Sequence, residues 1–76
     1  MDIVYSVNGV PIRMTSERWY HIVETHDYMG GYYHEVLRTV EHPDFVTQGY
    51  RGSLIAHRGF GRTGYLVVIY KELKSE

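Results

Sequence analysis

Five histidines, eight basic side chains and eight tyrosines carry the reactive chemistry of this chain, and there is no cysteine. A thiolate nucleophile, a disulfide framework and a thiolate metal site are thereby excluded. The histidines lack the spacing of a metal site. His21 and His26 are five apart, on different sides of a helix, whereas a shared metal needs ligands at i and i+4. His34 and His42 are eight apart, near opposite ends of a second helix, and no carboxylate completes a triad with them. Neither a metal nor another cofactor is expected. The run Gly59-Phe60-Gly61-Arg62-Thr63-Gly64 has the letters of a dinucleotide fingerprint. It precedes the most strand-like stretch of the chain, where that fingerprint must precede a helix.

A metal-free set of His, Arg, Lys and Tyr suits cleavage of RNA by its own 2′-hydroxyl. That reaction needs a base for the hydroxyl, an acid for the leaving 5′-oxygen and a cation for the crowded phosphate. Histidine titrates near neutrality and can take either proton role, while arginine meets phosphate with a planar fork. His26 ends a helical stripe, where the helix dipole favours the imidazolium and so an acid role. Arg58, two residues from the hairpin turn, is placed to reach a cleft rim. Arg51, Arg58 and Arg62 fall within twelve residues and make a local basic patch, a candidate surface for the substrate backbone. Each also has a structural reading: His26 as a capping or core imidazole, Arg58 paired with an acid, the patch as solvated surface.

Elements must hold these residues in place. Ile3 to Val7 and Val10 to Met14 read as strands joined at Asn8-Gly9, with Ile3, Tyr5 and Val7 on one face and Val10, Ile12 and Met14 on the matching one. Thr15 or Ser16 caps a helix in which Trp19, Ile22, Val23 and His26 form one stripe; it stops at Asp27. A second helix, Tyr32 to His42, presents Val36, Leu37 and Val40 and ends at Pro43. Phe45 to Thr47 is a short strand. The main hairpin follows, with Ser53 to Phe60 and Tyr65 to Tyr70 as its arms.

The order is β-β-α-α-β-β-β, an α+β fold with two helices packed on one face of a small antiparallel sheet. Tyr65 to Tyr70 is apolar or aromatic at every position, which predicts a strand central in its sheet. If Phe60 pairs with Thr63, then Arg58, Tyr65 and Lys71 share a face with Ala56, whose small side chain leaves room for a substrate. A slip of one residue inverts that arrangement.

The 76 residues make one domain, residues 1–76, with 73–76 a frayed tail. Net charge is −1, which argues against broad electrostatic binding of nucleic acid. The longest apolar run, the six residues from Tyr65 to Tyr70, is far short of the roughly 20 that span a bilayer. With no basic, hydrophobic leader visible either, a cytoplasmic location without membrane association is expected.

The stretches SERWYHIVETH, VLRTVEHPD and LIAHRGFGRTGYLVVIYKEL together resemble the phage-type nuclease-like domains of the barnase, EndoU, colicin and RelE superfold of RNA-cleaving toxins. The resemblance covers roughly residues 12 to 73. It implies a metal-independent ribonuclease on RNA, with His21, His26 and Arg58 catalytic, and a toxin component paired with a small neutralising protein. Arg51, Arg62, Tyr65 and Lys71 are the candidate substrate contacts beside that set. Catalytic residues vary widely across this superfold, so the same fold also accommodates a non-catalytic protein-interaction module. The eight tyrosines fit such a surface, and exposed strand edges would admit a homodimer.

Overall fold

The computed structural model describes residues 2–25, 29–62 and 64–72, and within the first helix it leaves out the side chains of residues 21–23 and 25. Seven elements follow one another: β1 (Asp2–Tyr5), β2 (Pro11–Met14), α1 (Ser16–Thr25), α2 (Tyr33–Glu41), β3 (Phe45–Gln48), β4 (Leu54–Phe60) and β5 (Gly64–Tyr70), with a 3-10 turn at Tyr50–Gly52 between β3 and β4. The fold is α+β, with two helices against small antiparallel sheets. The strands divide into a hairpin, β1-β2, and a three-stranded sheet in the order β3-β4-β5.

The core lies between α2 and the strands. Met14, Val36 and Leu37 form one buried cluster, and Val40, Ala56 and Tyr70 a second; Val4 and Val68 pack against both. In α2, Val36, Leu37 and Val40 fall at helical spacing, so one face is apolar and all three are buried. Thr39, wholly buried, donates its hydroxyl to the Glu35 carbonyl at 2.7 Å, so it needs no other partner. At the start of α1, Thr15 Oγ1 accepts from the Arg18 amide at 3.1 Å, an N-cap bond. Trp19, half-buried, meets the Tyr33 ring edge-on at 5.0 Å and so joins α1 to α2.

Three expectations about the strands are corrected. First, β5 is at the edge of its sheet and β4 is central. Residues 65, 67 and 69 face outward and are exposed, so the continuous apolar run is covered on one side only. Second, the N-terminal hairpin is out of the expected register. Val4 pairs with Ile12 and Tyr5 with Pro11, which turns Val4, Ile12 and Met14 to the core and leaves Ile3 and Tyr5 outside. The loop explains the shift: Ser6 Oγ accepts from the Asn8 and Val10 amides, each at 3.3 Å, and the Ser6 amide bonds the Val10 carbonyl at 2.9 Å. This side-chain-closed loop replaces a tight two-residue turn. Third, Phe60 pairs with Gly64, not Thr63, with Gly61 at φ 72° in the turn. Thr63 itself lies outside the described residues.

Candidate functional site

Strand alternation separates the two faces of the three-stranded sheet. Leu54, Ala56, Arg58, Leu66, Val68 and Tyr70 point to the helix side. The other face carries Phe45 and Thr47 from β3, Ile55 and His57 from β4, and Tyr65, Val67 and Ile69 from β5. No Asp, Glu, Lys or Arg is on that face within the strands. Its large apolar side chains are open: Phe45 is 47% exposed, Tyr65 61%, Val67 49% and Ile69 68%.

The rings on this face are ordered by one another. Phe45 stacks on His57 at 4.4 Å between centroids with 13° between planes. Phe45 also meets Tyr65 edge-on at 6.0 Å, across Gly59, which pairs with Tyr65 and offers no side chain between them. Thr47 Oγ1 and His57 Nε2 are hydrogen-bonded at 2.9 Å, which fixes the imidazole in the plane of the stack. At the strand ends Asp44 clamps β4. Its amide donates to the His57 carbonyl and its Oδ2 accepts from the Gly59 amide, both at 2.7 Å.

The described residues expected to share a floor with Ala56 do not all do so. Arg58 points to the helix side, where its guanidinium donates to the His42 carbonyl at the end of α2. Tyr65 lies on the opposite face, so the two do not share a floor with Ala56. The cause is the one-residue difference in register, which reverses every side chain of one strand relative to the other. Arg51 sits in the 3-10 turn at φ 55°, its guanidinium 5.4 Å from the Tyr50 ring centroid. Arg62 is exposed in the β4–β5 turn, and Lys71 is exposed just past β5. His21 is in α1 with its side chain outside the described residues, and His26 lies outside them altogether.

Phe45, Thr47 and His57 had no place in the sequence-based site. The signal was available in the alternation of β4, which puts His57 beside Ile55, but recognising it needed the β3–β4 register. Among the described residues no three His, Asp or Glu side chains are placed to hold a metal. Two tyrosines have shifted acidity. The Tyr33 hydroxyl donates to Asp2 Oδ2 at 2.5 Å, and that bond, then desolvation, then the carboxylate charge raise its pKa above the usual phenol value. Tyr70 is raised by burial first and by the Glu72 charge second.

No family model matches the chain, and neither a curated protein nor a solved structure does.

Proposed function

We propose that this domain is a protein-interaction module that self-associates through the open face of its three-stranded sheet. One observation carries the reading: Phe45, Tyr65, Val67 and Ile69 form a contiguous uncharged patch, each about half exposed or more. Apolar patches of that kind on a small domain mark contact surfaces. A second copy is the occupant that fits, because an uncharged face meets itself with no like-charge repulsion. Two such sheets pack face to face about 10 Å apart, related by a two-fold axis. Sedimentation velocity over a concentration series tests it. The parent is expected to shift from monomer to dimer, and a Val67→Lys variant to remain monomeric with unchanged circular dichroism. A parent that stays monomeric throughout overturns the reading.

The resemblance supports a second reading, a metal-independent ribonuclease. What favours it is the position of Arg58 at the end of α2, its guanidinium on the carbonyl of His42, whose own side chain is 67% exposed. A phosphate-binding fork and a titratable imidazole thus come from adjacent points on one rim. Cleavage of a fluorescent RNA in EDTA, lost in folded Arg58→Ala and His42→Ala variants, is the expected result. An intact substrate rejects it.

A further inference from the structure

β5 has the composition of a central strand and the position of an edge strand. Among the described residues it pairs with β4 alone, and β2 pairs with β1 alone, so each sheet has an edge of unpaired backbone groups. These two edges border the same groove, of about 790 Å³. Pro11 to Met14 line one wall and Val68 to Tyr70 the other, with Val36, Leu37 and Val40 of α2 between them. An apolar floor between two open strand edges is the surface that strand addition uses: backbone bonds hold the guest and alternate side chains fill the floor.

Two further observations specify the guest. The Tyr70 hydroxyl, on the groove wall, is buried and has no hydrogen-bond partner among the described residues, although the residue is only 7% exposed. Buried hydroxyls without a partner are rare and point to a missing one. The charges lining the groove are Arg13, Arg18 and Lys71, with no carboxylate among them. We propose that the groove takes one extended strand of a partner protein, apolar on the side facing α2 and acidic where it meets the groove's cations. Bound there, the strand joins β2 to β5, and the two small sheets become one.

This surface shares only Ile69 with the open sheet face, and the tests of the two readings use different residues, so the readings fail independently. The test uses the whole chain and a short capped peptide that alternates valine and threonine with glutamate at each end. Saturable binding is expected, with slowed amide exchange in β2 and β5. A proline at the centre of the peptide removes ladder donors and is expected to weaken binding by about tenfold or more. Lysine in place of the glutamates should weaken it by a similar factor, and the Arg13→Glu/Lys71→Glu variant should restore the lysine peptide. Gly31→Ala, away from the groove lining and with open space around it, should leave the affinity unchanged. The proposal is overturned if no peptide binds, if proline and charge reversal have no effect, or if protection falls on β3. It is equally overturned if the groove edges are already protected in a self-associated chain, since a second copy would then be the guest.

Discussion

Tyr70 is the residue at which packing and chemistry conflict. Its ring fills the core beside Val40 and Ala56, while its hydroxyl is desolvated without a bond in return among the described residues. An unsatisfied buried group costs about 1–3 kcal/mol, so Tyr70→Phe should stabilise the free chain by about 1 kcal/mol, read from urea denaturation. The same change should weaken binding of the acidic peptide. Acidity shifts at two tyrosines, by the bond to Asp2 at Tyr33 and by burial at Tyr70. Tyr33 and Tyr70 both hold their protons to higher pH in the folded chain than in the unfolded one. The stability linked to keeping them protonated is therefore complete below the ordinary phenol pKa, about 10, and declines as pH climbs through the raised values. The urea midpoint should fall between pH 9 and pH 11, and a Tyr33→Phe/Tyr70→Phe variant should lose less over that interval. Leu37 shows the opposite case, a buried side chain with only apolar duties. Leu37→Ala should cost about 2–5 kcal/mol, a large part of the roughly 4–11 kcal/mol expected for a domain this size.

At the scale of elements, the joint between β3 and β4 depends on one close approach. The Gly49 amide donates to the Ser53 carbonyl at 2.8 Å, and the chain returns so tightly that a Cβ at Gly49 would run into Ser53 Oγ and approach Ile55 Cγ1 at 3.1 Å. Ser53 is buried and cannot swing into solvent freely. Gly49→Ala should therefore destabilise by about 1–3 kcal/mol in chemical denaturation. Gly31→Ala, with open space around the position, should change little. The same joint sets the β3–β4 register, and with it the Phe45–His57 stack on the open face. Among the elements themselves, the helices were legible before the strands. α2 announces itself through Val36, Leu37 and Val40 at helical spacing and through Pro43 behind it, and α1 through a capping threonine. The strands were legible as strands but not as neighbours. β5 looked central because all six of its residues from Tyr65 onward are apolar, and composition does not say which edge remains unpaired.

The molecule as a whole presents two distinctive surfaces: an uncharged open sheet face and a groove between two strand edges lined by Arg13, Arg18 and Lys71. No helix among the described residues is long and apolar enough to cross a membrane. Mixing the parent with the acidic peptide should leave face-to-face dimers intact, and sedimentation of the peptide-bound chain checks that independence. The sequence by itself determined the α+β class, the order of the seven elements and the buried face of α2. Those properties come from local periodicity, capping and proline, which act over a few residues. Only the tertiary structure decided that Arg58 and Tyr65 lie on opposite faces, that His57 joins Phe45 and Tyr65, and that β5 is an edge. The first two depend on register, set by the loops between Gln48 and Leu54 and after Phe60, and the third on strand order. A strand has a side-chain period of two, so one residue gained or lost in a loop exchanges its faces while leaving the sequence pattern intact.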